Sequence, residues 1–178
     1  MYRTTFFQRS GKLILCAILS VFFLACNPAK NDKIVDTEQI SAMLDSFNQS
    51  AASADFDAYF SFFADDAVFL GTDATEYWDK KSFMEYARPH FEKGKTWNFK
   101  ALERHIYSNE EGNIAWFDEL LDTQMKICRG SGVLIKMETT WKIQQYVLSM
   151  TVPNNLTDTV IKLKSEIENA IIEGLNSK

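Results

Sequence analysis

Cysteine and histidine are scarce in this chain, with three and two in 178 residues. There is no CxxC pair and no cluster of His and Cys, and His90 and His105 stand apart, so no metal site is expected. Long apolar runs are missing as well. The stretch LILCAILSVFFLA, from Leu13 to Ala25, has 13 residues, against the roughly 20 that a membrane-spanning helix needs. No glycine-rich phosphate cradle of the Walker or Rossmann spacing occurs, and no cofactor is expected. Basic charge is also in deficit: 19 Lys and Arg stand against 24 Asp and Glu. A chain of that balance is not expected to grip nucleic acid through phosphate contacts.

What is present begins with Arg3, Arg9 and Lys12, then the short apolar run, then Ala25 and Cys26. A basic start, a short apolar run and a small residue before a cleavage point make a secretory signal peptide over 1–25. Ala25 followed by Cys26 resembles the lipobox of bacterial lipoproteins, with Phe23 in place of the usual leucine. The resemblance implies that Cys26 becomes a lipid-modified first residue and that the protein is lipid-anchored in the bacterial cell envelope. Residues 26–33 read as a tether. Without Arg3, Arg9 and Lys12 the balance is 16 basic against 24 acidic residues, a net charge of -8. Cys128 is then the only free thiol in the folded part.

Beyond the tether, Asp36 and Gln39 open a helix with Ile40, Met43, Leu44, Phe47 and Ala51 at helical spacing. A second, aromatic helix runs from Asp55 to Phe63 and ends at Asp65 and Asp66. AVFLG at 67–71 is a short buried strand. A third helix, capped by Asp79 or Ser82, carries Phe83, Met84, Ala87 and Phe91 inward, and Pro89 is expected to kink or end it near Arg88. From Thr96 the pattern alternates, and 96–107, 113–127, 131–138 and 140–151 read as four strands joined by SNEEGN, ICRGS and METT, a meander of hairpins. Gly130 and Gly132 suggest a bulge. A final helix over 155–178 bears Leu156, Val160, Leu163, Ile167 and Ile171 on one face. Together these make an α+β fold in which a curved antiparallel sheet wraps helices and leaves a conical cavity at its open end.

The order of elements, with DFDAYFSFFADDAVFLGTD at 55–73 and RGSGVLIKMETTWKIQQYVLSM at 129–150, resembles the SnoaL-like branch of the nuclear transport factor 2-like superfamily. The likeness covers 34–154. It implies one of several activities on a common scaffold: cofactor-independent isomerase, cyclase or dehydratase chemistry, ligand binding, or an interaction module that forms homodimers through the outer sheet face. Val147 stands where relatives often place a histidine, so this strand offers no acid or base there.

Candidate site residues follow. Alternation along WKIQQYVLS puts Trp141, Ile143, Gln145, Val147 and Ser149 on one face, expected to be the inner one, where the Gln145 amide bonds either a ligand or Tyr59 and the backbone. One carboxylate of Asp118 and Glu119 must face inward. It is either a desolvated general base or the partner of Arg104 or Arg129 in an ion pair. Glu76 and Trp78 follow the first strand, at the rim of the pocket in relatives; Trp78 either caps a ligand or covers helix ends. Binding requires an enclosed apolar cavity of about 300 Å³ or more. Since the closing strand lacks a histidine, the reading leans from catalysis toward binding of a small, partly apolar molecule.

Overall fold

The computed structural model describes residues 35–177. The expected signal peptide, the lipidation at Cys26 and the tether lie outside the described residues. The described residues form a compact unit of their own.

Two helices open the unit. In α1 (Thr37–Ala52) the Asp36 carboxylate accepts the Gln39 N–H at 3.0 Å, and Ile40, Leu44, Phe47 and Ala51 are buried on one face. In α2 (Phe56–Ser61) the Asp55 side chain accepts from Ala58, and Tyr59 and Phe60 are buried. This helix ends sooner than its aromatic spacing predicts. Strand β1 (Phe63–Leu70) begins at once, and Asp65 and Asp66 are exposed residues of that strand rather than a helix end. Pairing decides the matter: Phe62 C=O accepts the Ile143 N–H at 2.8 Å, and Lys80 reaches both Phe63 C=O and the Asp65 carboxylate at 3.1 Å.

The short β2 (Tyr77–Asp79), which no pattern announced, hairpins onto β1. Helix α3 (Lys80–Glu92) is capped by Asp79 and runs through Pro89 without ending. Pro89 and Glu85 are exposed, so the carbonyl that the proline leaves unbonded faces water, while Phe83, Ala87 and Phe91 hold the helix to the core on both sides of it.

The remaining strands are β3 (Lys100–Ser108), β4 (Ile114–Thr123), β5 (Lys126–Met137) and β6 (Thr140–Met150), and the six-stranded order is β2-β1-β6-β5-β4-β3. The meander is as expected, but β1 joins β6 in parallel, and the expected loop ICRGS lies inside β5. The real turn is Gln124–Met125, between Thr123 and Lys126. It is built by the Thr123 hydroxyl, which donates to Lys126 C=O at 2.8 Å and accepts the Met125 N–H at 2.9 Å.

Gly130 and Gly132 sit in unbroken register with β4 and form no bulge. A Cβ at Gly130 would lie 2.5 Å from the Tyr146 hydroxyl and 3.0 Å from Glu119 Oε1; one at Gly132 would strike Gln145 C=O and the Phe117 ring. The glycines clear room for side chains. The bulge is one step away: Val133 opposes Gln145 but Leu134 opposes Ile143, leaving Gln144 extra. An extra residue exchanges the faces of everything after it. Trp141 and Ile143 are therefore buried, but so are Tyr146 and Leu148, while Gln145 is exposed and Val147 half-buried on the outer side. The expected inward Gln145 is corrected by this single slip. A short helical turn, η1 (Asn154–Leu156), then leads into α4 (Thr157–Asn176).

Candidate functional site

The interior between helices and sheet is filled by rings. Tyr59 is buried, stacked on Phe47 at 4.6 Å between centroids and edge-on to Trp97 at 5.6 Å. Burial drives its hydroxyl well above the ordinary tyrosine range, against the smaller opposing effect of a bond to Trp97. Phe60, Phe63, Phe117 and Tyr146 occupy the remaining depth. In place of the expected enclosed cavity of about 300 Å³, the described residues line two open, largely polar clefts of about 440 and 570 Å³ around Asn98 and Lys100 and a smaller, mainly apolar niche of about 180 Å³. Phe83 forms its base, stacked on Phe69 at 4.0 Å and Trp78 at 5.6 Å, and Tyr86 extends the stack to Trp78 at 4.8 Å. Trp97, itself stacked on Phe83 at 6.0 Å, completes the apolar lining with Phe99, Met125 and Leu148, and Thr72 and Gln124 are its polar members.

Deeper in the sheet lies an ionic cluster. Glu119 points inward from β4 and is 1 % exposed. Its Oε2 accepts from Arg104 Nε at 2.8 Å, with Nη2 at 2.7 Å, and its Oε1 accepts from the Tyr146 hydroxyl at 3.2 Å. Nη2 is close enough for charge pairing but makes no directed hydrogen bond. Arg104 Nη1 donates to Ser41 C=O, to the Ser41 hydroxyl and to Asp45, all within 2.9 Å. Burial raises the Glu119 carboxyl above the usual range, and the Arg104 charge offsets this only in part. Burial, followed by the Glu119 charge, raises the Tyr146 hydroxyl as well.

Asp118, its neighbour, points outward. It lies 3.2 Å from His105 Nδ1 and 3.5 Å from Arg129 Nη1 at a half-exposed surface. Both carboxylates are thus held by the arginines that sequence offered as alternative partners, Glu119 by Arg104 and Asp118 by Arg129. A general base needs a free oxygen within reach of its substrate, and Glu119 has neither a free oxygen nor an opening beside it. The inward carboxylate is thus Glu119, in the ion pair with Arg104 that the sequence offered as the alternative to a general base.

The remaining candidates are scattered. Trp78 lines the niche. Glu76 turns back into its own loop, where Oε2 accepts the Asp73 N–H at 3.2 Å. Gln145 and Arg129 lie on the outer face, and Tyr59 and Arg104 belong to the core. The residues that sequence reasoning passed over are Tyr86, Asp45 and Tyr146. Tyr86 stands eight places after Trp78 in the same aromatic segment, a signal that was available. Tyr146 was hidden by the bulge. No group of three His, Cys, Asp or Glu suited to a metal ion occurs among the described residues.

Comparison with known proteins agrees with this architecture. The family profile described as a SnoaL-like domain matches residues 40–153. The chain belongs to the SnoaL-like domain family. Among solved structures it is similar to a domain of unknown function with a cystatin-like fold from Nostoc punctiforme, at 13 % identity, TM-score 0.58, covering 80 % of this chain and 95 % of that one. A proposed dehydratase of the nuclear transport factor 2-like family from Streptomyces avermitilis aligns at 14 % identity and TM-score 0.56, over 66 % and 97 % of the two chains. A proposed aromatic ring hydroxylase from Novosphingobium aromaticivorans gives 17 %, 0.56, 66 % and 90 %. At these identities the likeness is one of fold. No curated protein matches the sequence. The expected nuclear transport factor 2-like α+β fold is therefore the fold of this SnoaL-like chain.

Proposed function

We propose that this SnoaL-like chain is an envelope-anchored binding domain, tethered through Cys26, that holds one small, partly apolar molecule in its aromatic niche. The observation that carries the reading is the continuous stack Phe69, Phe83, Trp78, Tyr86 around an opening of about 180 Å³. A cavity of about 150 Å³ is enough for benzene, so the occupant is about the size of one substituted ring. Stacked aromatic walls favour a flat molecule, and Thr72 and Gln124 supply a polar edge that fixes its orientation. Among the described residues no carboxylate or histidine lines the niche, which supports binding over proton-transfer chemistry at this position.

The test is titration of the soluble chain 27–178 with a panel of phenols, indoles and benzoates, read by tryptophan fluorescence and calorimetry. Saturable binding that Trp78→Ala weakens by about tenfold or more, with the fold intact, is the expected result. Binding that Trp78→Ala leaves unchanged places the ligand elsewhere, and no binding by any ring-sized compound ends the proposal. The anchor is tested separately: mass spectrometry of the mature amino terminus should find a diacylglyceryl group on Cys26, and an unmodified Cys26 refutes it.

A further inference from the structure

Helix α1 and the chain that enters β3 are fastened to each other at both ends. At one end the Thr96 hydroxyl donates to Ala51 C=O at 2.6 Å. At the other, Arg104 Nη1 donates to Ser41 and Asp45 within 2.9 Å. Between these bonds the two walls line an open cleft of about 440 Å³, within the range of about 300–1,000 Å³ usual for small-molecule sites. The helical wall is Asp45, Asn48 and Gln49, at the i, i+3, i+4 spacing of one helix face. The facing wall is Asn98, Phe99 and Lys100.

Asn48 is the unusual member. It is 6 % exposed, and its Nδ2 has no hydrogen-bond partner among the described residues. The large majority of buried polar side chains are bonded, and a buried N–H left without an acceptor destabilises the fold. The other buried residues of α1, Ile40, Leu44, Phe47 and Ala51, are apolar, so packing alone does not call for an amide at this position. An acceptor brought by a ligand removes the penalty.

We infer that this cleft binds a neutral sugar, with the Asn48 amide donating to one of its hydroxyls. The side-chain amides of Asn48, Gln49 and Asn98 each offer an NH2 donor and a carbonyl acceptor, and a sugar hydroxyl likewise both donates and accepts. Charge argues the same way. The lining carries one carboxylate, Asp45, and one ammonium, Lys100, so a ligand of either net sign meets a group of its own sign. Phe99 gives an apolar wall for the C–H face of a ring. The bonds at Thr96 and Arg104 hold both walls in place before a ligand arrives, which lowers the ordering cost of binding. An adjoining cleft of about 570 Å³ shares Asn98 and Lys100, so the second ring of a disaccharide has room there. The site is separate from the aromatic niche, with which it shares only Phe99.

The experiment titrates the isotope-labelled chain 27–178 with glucose, galactose, N-acetylglucosamine and maltose, and in parallel with glycine and glutamate, following the side-chain amide resonances of Asn48 and Asn98 by nuclear magnetic resonance. The expected result is a saturable shift of both with at least one sugar, a dissociation constant raised at least about tenfold by Asn98→Ala, and no shift with the amino acids. Asn48→Leu should abolish binding while the melting temperature holds or rises, because an apolar side chain of similar size leaves no donor unbonded. A melting temperature lowered by Asn48→Leu shows that the amide serves the fold and overturns its assignment as a ligand donor; Asn98→Ala, at an exposed residue, then decides the cleft alone. Absence of a saturable shift with every sugar overturns the inference, as does sugar binding that Asn98→Ala leaves unchanged. Amino acids that move the same resonances replace the sugar with a zwitterion. None of these outcomes depends on what the aromatic niche binds.

Discussion

Asp118 and Glu119 are neighbours in one strand, alike in chemistry, and the sheet sends them into opposite worlds. Asp118, on the outer face, shares a half-exposed surface with His105 and Arg129. Glu119, on the inner face, is sealed under α1 with both oxygens bonded. Water screens the first cluster, whereas in the second Arg104 and Glu119 are buried and only Asp45 reaches the surface, so the same pair of charge types has different consequences. The inner group is a fixture of the fold, and the outer one is a surface decoration.

The largest expected effect comes from breaking the inner cluster. Arg104→Met leaves Glu119 buried with only the Tyr146 hydroxyl, and removing one partner of a buried pair costs about 3–5 kcal/mol. The cost depends on pH in a fixed direction. Burial already makes folded Glu119 hold its proton more tightly than the unfolded chain does, and losing Arg104 widens that gap. Unfolding then releases a proton, so stability falls as pH rises from the ordinary glutamate value through the raised folded value. Urea denaturation at about pH 5 and about pH 8 should therefore find a larger deficit at the higher pH. An equal deficit at both would mean that Glu119 is not the group left exposed to the change.

Next in size is Gly130→Ala. Its Cβ would press on the Tyr146 hydroxyl and on Glu119 Oε1, and overpacking of that kind costs about 1–3 kcal/mol. The cost should shrink in the double variant with Tyr146→Phe, which removes the oxygen that the new methyl meets. If the double variant is fully additive, the clash lies elsewhere.

The same inner cluster explains what was and was not legible in the sequence. Helix α1 was readable because its cap and its apolar spacing are local features, and the hairpin order was readable from alternation. The two glycines of β5 were visible, but they serve contacts from β4 and β6, and no spacing within β5 reveals that. Likewise Gln124–Met125 contains no turn-forming residue, since Thr123 supplies the bonds from outside the turn. The bulge at Gln144 mattered most. It is set by the pairing of β6 with β5, so alternation read along WKIQQYVLS was right for Trp141 and Ile143 and reversed for Gln145 and Tyr146. The candidate site suffered for that reason: the acids and their arginine partners were named, but the tyrosine that completes the cluster was on the wrong face.

The smallest expected effect completes the comparison. Asp118→Asn removes the charge that His105 and Arg129 share, yet those side chains are 49 % and 51 % exposed and can turn to water. Exposed pairs of this sort contribute about 0–1 kcal/mol, and surface changes away from special features stay within about 0.5 kcal/mol. The difference between Asp118→Asn and the unaltered chain should also shrink further in high salt, because the screening length between exposed charges falls from about 10 Å at 0.1 M to about 3 Å at 1 M. The matching change inside, Glu119→Gln, should keep most of its deficit at the same salt, since the Arg104 side chain there is only 8 % exposed. Denaturation of both variants at low and high salt measures this directly.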